Sequence, residues 1–175
     1  MNKTIFSALR NAGYSTKETE SLYEKVLAEL EGGGKQNHPF HMASVLGHTE
    51  LVVLSMKLQT LDPRMWLVAL LHDIGKASVK SINPKTGYDS FFNHAKASVE
   101  WCNENGVVLS DEEKDLILEH DNCKSWVNGK KLNKLIRKHG EQFRERLAML
   151  VQADMDGQSD KACTNKQAIT NIKEW

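Results

Sequence analysis

The residues of this chain best suited to chemistry stand side by side at His72 and Asp73. The stretch before them, Trp66-Leu67-Val68-Ala69-Leu70-Leu71, reads as a buried helix that abruptly presents an imidazole and a carboxylate together. Burying such a pair without partners costs several kcal/mol. Two arrangements would satisfy it. One is a divalent cation, for which neutral imidazole and ionised carboxylate are both good ligands. The other is a hydrogen-bonded His–Asp pair capping the helix ahead of Gly75.

Other polar residues bear on that choice. A helix face is read at spacings of three, four and seven. Leu147, Leu150 and Val151 mark an inward face that Asp154 continues, whereas Asp156 points elsewhere. His48 lies on the face shared by Val45, Val52 and Ser55, and His120 on that of Glu113, Leu116 and Ile117. His94 is one turn from Phe91 and Ser98 on the same side. A single inward histidine is usually a hydrogen-bonded core residue. Five separate helices each breaking an apolar face with a metal-compatible side chain point to a shared cation.

The elements that must position these residues are helical almost throughout. Ser15 with Glu18 forms a capping box, and the stripe Leu22, Val26, Leu27 and Leu30 ends at Gly32-Gly33-Gly34. That stripe could pack inside the chain or build a homodimer. The pattern predicts helices from about His41 to Leu61 and from Pro63 to about Gly75. A loop follows over Ala77 to Ser90, with Asn83-Pro84 and Thr86-Gly87, and its Lys80 and Lys85 could close over a substrate. Further helices are predicted over Phe91 to Glu104, Ser110 to His120, Lys130 to Lys138 and Glu141 to Asp156, with a last amphipathic segment over Lys166 to Trp175. No window alternates with period two for long enough to make a strand. The expected architecture is all-α, a single compact bundle of about seven helices over residues 1–175. Residues 1–34 form an N-terminal helical extension, and 37–159 hold the metal-binding core.

Composition narrows the function. At 175 residues, 40% hydrophobic and 26% charged, the chain suits one globular domain. Lys plus Arg number 23 and Asp plus Glu number 23, so no large positive field exists for long nucleic acid, although a nucleotide could still be held locally. Cys102, Cys123 and Cys163 are widely spaced and form no CxxC pair, which fits reduced thiols. The start of the chain lacks a signal-peptide pattern, and the longest apolar run, Met65 to Leu71, is too short to cross a bilayer. A cytoplasmic protein with no membrane partner is expected. His139 before Gly140 reads as a helix end, His38 and His41 as residues flanking a helix start, and the lysine-rich stretch from Lys130 as a solvated face.

The order His48, His72-Asp73, Asp154 resembles the HD-domain superfamily of metal-dependent phosphohydrolases. Leu46-Gly47-His48-Thr49-Glu50-Leu51 is similar to the family's first-ligand helix. Ala69-Leu70-Leu71-His72-Asp73-Ile74-Gly75-Lys76 is similar to its signature segment, and Ala153-Asp154 to its last ligand. Asn37-His38-Pro39-Phe40-His41, Phe91-Phe92-Asn93-His94-Ala95-Lys96-Ala97 and Leu150 to Asp154 further resemble the HD domain of bacterial tRNA nucleotidyltransferases. The polymerase domain of those enzymes has no counterpart here, so the resemblance implies a stand-alone hydrolytic module.

What the resemblance implies is a metal set of His48, His72, Asp73 and Asp154, extended by His94 and His120 in binuclear members. It would hold one or two divalent ions (Mn, Co, Ni, Zn, Fe or Mg). Two ions bridged by Asp73 would sit about 3.5–4 Å apart, a spacing suited to in-line phosphoryl displacement. The implied activity is hydrolysis of a phosphate ester, a nucleotide or related small molecule, by a metal-activated water. Asp73 would orient or deprotonate that water, and His94 and His120 would bind phosphate or donate a proton if they are not ligands. Lys76 would reach a phosphate oxygen, or else be a solvated lysine near a helix end. Asp121 stands where cyclic-dinucleotide phosphodiesterases of the superfamily carry a second histidine, which points away from such substrates. Two other readings fit the same residues: an oxygenase holding two irons in the six-ligand set, and a non-catalytic nucleotide-binding regulatory module.

Overall fold

Five of the helices begin where a side chain takes up free N–H groups of the first turn. Asn2 caps α1 (Lys3–Asn11), accepting from the N–H groups of Thr4 and Ile5. Ser15 caps α2 (Thr16–Gly33) with the expected capping box to Glu18. Ser44 opens α3 (Val45–Gln59), and Asp62 followed by Pro63 opens α4 (Pro63–Leu71). Ser110 and Glu113 form the second capping box, at α7 (Asp111–Glu119). With α5 (Lys76–Val79), α6 (His94–Glu104), α8 (Lys130–His139) and α9 (Gln142–Asp156), these make up the helices of the computed structural model, which describes residues 1–38, 43–122 and 129–158. The fold is all-α, as the periodicity predicts. No helix among the described residues is long and apolar enough to cross a membrane.

The buried apolar residues form one continuous cluster running from Ile5 in α1 to Ala153 in α9. At its centre α3 packs against both α4 and α9, so the helices carrying His48 and Asp154 meet the end of α4, where His72 and Asp73 lie. The α6–α7 pair packs beside them, α7 touching both α4 and α9. The stripe Leu22, Val26 and Leu30 is buried inside the chain, where α2 lies on α1, α3 and α5, and so offers no dimer surface. The turn from α2 to α3 depends on glycine. A Cβ at Gly33 would stand 2.7 Å from Val45 Cγ2, so the helix ends could not close as they do.

Several boundaries differ from the sequence reading. The helix α1 has no counterpart in it, because nine residues carry only the short stripe Ile5, Ala8 and Leu9. The helix expected from His41 starts at Val45, where Ser44 can cap it; residues 39–42 lie outside the described part. The helix expected to reach Gly75 stops at Leu71, and residues 72–75 form turns before α5. The next helix starts at His94 rather than Phe91, because Asn93 adopts a left-handed conformation (φ 65°). The loop is not strandless. Ser81–Ile82 (β1) and Asp89–Ser90 (β2) pair antiparallel, Ser81 opposite Ser90. Two residues a side are too few to leave an alternating pattern. The segment Lys166 to Trp175, with Cys123, Trp126 and Cys163, lies outside the described residues.

Candidate metal centre

The four inward histidines share one local device. Each donates its Nδ1 hydrogen to a backbone carbonyl: His48 to Gly157 (3.0 Å), His72 to Ala69 (2.7 Å), His94 to Phe91 (2.9 Å) and His120 to Ile117 (2.7 Å). A carbonyl can only accept, so the hydrogen sits on Nδ1 in every ring, and Nε2 is the atom turned inward. His72 closes the end of α4 through the Ala69 carbonyl, not through a hydrogen-bonded pair with Asp73, and so keeps Nε2 for the centre.

The Nε2 atoms converge on Asp73. Its Oδ2 lies 3.3 Å from Nε2 of both His48 and His72, and its Oδ1 3.2 Å from His94 Nε2 and 3.8 Å from His120 Nε2. Asp154 Oδ1 adds a second carboxylate, 3.1 Å from His48 Nε2 and 3.6 Å from His72 Nε2. Two donor groups result, His48-His72-Asp73-Asp154 and Asp73-His94-His120, each with its ligand atoms within 4.8 Å of one another. All six expected ligands are thus brought together, with Asp73 common to both groups. Asp156 turns away and accepts a hydrogen bond from Ser55 Oγ at 2.5 Å, as its spacing predicts.

The electrostatics call for positive charge. His72 Nε2 and Asp73 Oδ1 are buried and make no well-formed hydrogen bond, while Asp73 Oδ2 is held by the Lys76 ammonium at 2.6 Å. Buried polar atoms in that condition need a partner. His94 and His120 turn Nε2 towards Nε2 at 3.2 Å. Burial works against ionised Asp73, yet His72, Lys76 and His48 hold its carboxyl well below the usual carboxylate range. His48 and His72 do the same for Asp154 against its own burial. His72 is opposed by burial but pushed up to about 10 by Asp73 and Asp154, so without a metal this site takes up a proton instead. Burial, then His72 and His94, push His120 down to about 4. Convergent imidazole nitrogens and carboxylate oxygens fit a divalent cation.

Lys76 is buried, not solvated. Its Nζ lies 2.6 Å from Asp73 Oδ2 and donates to Gln36 Oε1 at 3.1 Å, and it sits 5.3 Å from the centre of the Phe91 ring. Lys80 does not reach the centre. It donates to the carbonyls of Gly33 and Lys35 and pairs with Asp89, pinning the loop to the end of α2. His139 ends α8, as expected, and pairs with Asp115 on α7 (2.7 Å). Three supporting residues escape sequence reasoning. Gln36 holds Lys76; Ser98 accepts from the Gly75 N–H and donates to the His72 carbonyl; Gly157 offers its carbonyl to His48. Only Ser98 leaves a signal, as a small polar residue on the inward face one turn after His94.

Residues 40–156, about two thirds of the chain, match the family model described as HD domain, and the chain belongs to that family. HD-domain proteins are generally metal-dependent hydrolases. A search of the curated proteins gave no match.

Proposed function

From an HD-domain chain with six convergent donors, we propose a metal-dependent phosphohydrolase acting on a phosphate ester, a nucleotide or a related small molecule. The observation that carries the reading is Asp73, whose two oxygens face two separate donor groups. Divalent cations held there would supply the Lewis acidity for attack of water on phosphorus. Asp73 would orient that water or take its proton, and Lys76, 2.6 Å away, would keep Asp73 ionised and in place. His120, held neutral at physiological pH, would act as a ligand and not as a proton donor. His94 has the most exposed side chain of the six, at 12%, so the phosphoryl group would enter from its side. The zero net charge favours a small anion over long nucleic acid.

The test is to measure the metals retained by chelator-free protein, then phosphate release from a panel of nucleotides and bis-esters with each metal added back. Metal-dependent turnover that disappears in Asp73→Ala would establish the hydrolase. The shared carboxylate equally suits two irons, so retained iron with a mixed-valent magnetic signal and no ester turnover would assign an oxygenase instead.

A further inference from the structure

The stripe Leu22, Val26 and Leu30 is buried, yet α3 keeps an apolar face in the open. This helix is apolar on two sides. Val45, Val52, Val53 and Met56 fill the core, while on the opposite side Leu51 and Leu54 are each 48% exposed and Leu58 is 91% exposed. Exposed leucines are ordinary when scattered, but a row of them on one helix marks a surface that a partner covers. Rolling the helix cannot hide the row, because both of its borders are held. Ser55 Oγ donates to Asp156 on α9, and on the border facing α1 the Asn2 amide donates to Glu50 and Lys57 donates to Ser7 Oγ.

The spacing says what kind of surface covers it. Gly47, Leu51, Leu54 and Leu58 follow one another at intervals of four, three and four. A strip that narrow is the seam along which two helices pair; a helix lying on a larger core shows a wider face. The charges beside the seam say which helix. Glu50 and Lys57 stand on one border, seven residues apart, and their hydrogen-bond partners within the chain, Asn2 and Ser7, are neutral. Opposite charges one heptad apart on a single border meet their complements when the same helix is laid against itself antiparallel. With Leu51 of each copy against Leu54 of the other, Glu50 of each comes beside Lys57 of the other, and Leu58 covers the bare backbone of Gly47. The chain itself does not require that glycine, since a Cβ there would meet Ala43 Cβ and Ser44 Oγ no closer than 3.4 Å.

We propose that the outer face of α3 is a dimer interface, on which a second copy of this chain pairs antiparallel through Leu51, Leu54 and Leu58 and through two Glu50–Lys57 pairs. A seam self-complementary in this way closes as a two-fold dimer and leaves no edge for further growth. Each copy keeps its own metal centre, because His48 on the same helix is buried within its chain.

Sedimentation equilibrium of the full chain reads the association directly. One helix face is smaller than the roughly 800 Å² per partner of a standard interface, so a reversible dimer with a dissociation constant on the order of micromolar is expected. Leu54→Asp places an unpaired charge at the centre of the seam and should weaken the dimer about a hundredfold or more, with circular dichroism showing the same helix content. Glu50→Lys and Lys57→Glu should each weaken it about three- to thirtyfold, because two attractions become two repulsions. Combining them should restore the dimer, an outcome that loss of the bonds to Asn2 and Ser7 could not produce. A single monomeric species up to about 1 mM would overturn the proposal, and a fall in Tm of monomeric Leu54→Asp would then assign the stripe to another segment of the same chain. A dimer indifferent to Leu54→Asp would equally overturn it. A double variant no tighter than the single ones would refute the antiparallel pairing.

Discussion

The substitution Gly75→Ala tests how closely the ligand-bearing turn must approach α6. A Cβ at Gly75 would lie 2.4 Å from the Ser98 nitrogen, 2.5 Å from the Ala97 carbonyl carbon and 2.7 Å from Ala97 Cβ. Two of these are backbone atoms, so no side-chain rotation relieves the contact. The turn and α6 must separate by about 1 Å to restore ordinary contact, and overpacking of that kind costs roughly 1–3 kcal/mol. Separation also strains two buried hydrogen bonds, Gly75 N–H to Ser98 Oγ and Ser98 O–H to the His72 carbonyl, each 2.9 Å long. At about 1 kcal/mol each, they bring the expected loss to roughly 3–5 kcal/mol. For a chain of this size that lowers Tm by about 5–20 °C. The same displacement draws His94 on α6 away from Asp73, so the Asp73-His94-His120 group should lose affinity more than the group containing His48. Thermal unfolding followed by circular dichroism and a metal titration by calorimetry read the two effects. Gly32→Ala is the control, because its Cβ meets only Ala77 Cβ at 3.8 Å. If Gly75→Ala matches Gly32→Ala in Tm and metal isotherm, the close-approach argument is wrong.

Three further outcomes follow from the same geometry. Gly157→Ala places a Cβ 2.9 Å from His48 Nδ1 and 2.9 Å from Val52 Cγ2, so it should weaken metal binding about tenfold or more with a smaller loss of Tm; an unchanged isotherm would refute a positioning role for Gly157. Metal binding should release protons at pH 7.5, because His72 stands at about 10 without a cation and gives up its Nε2 proton to the metal; affinity then rises with pH towards 10, and calorimetry in buffers of different ionisation heat should show release, while none would refute the assignment. Glu113→Gln should cost about 1–2 kcal/mol at pH 7, a figure discounted because Arg64, its partner at 2.7 Å, is 38% exposed. Burial raises the Glu113 pKa but the bonds from Arg64 and Ser110 lower it further, so this stability is present above the ordinary carboxylate pKa and lost as pH falls through the depressed one. Denaturation curves of the two proteins should converge in acid; a constant gap down to pH 2 would contradict the pairing.

Local chemistry encodes the helices of this chain. Capping boxes at Ser15 and Ser110, the Pro63 start and the apolar faces around Leu147 and Val45 specify helices, because caps and periodicity act within a few residues. The six candidate ligands were legible for the same reason: each interrupts an apolar face, and a polar group there must find a partner inside. The short helix α1, the two-residue strands and the start of α6 were not, since so few residues leave little pattern and an αL Asn93 looks like any asparagine. Packing of the helices against one another is what makes Asp73 serve both donor groups, draws Lys76 under Phe91 onto Asp73, and lets Lys80 pin the hairpin. Those relations join residues up to 81 positions apart, as between Asp73 and Asp154, or turn on the direction of a long, freely rotating side chain. No local preference constrains either until the helices pack and exclude the alternatives.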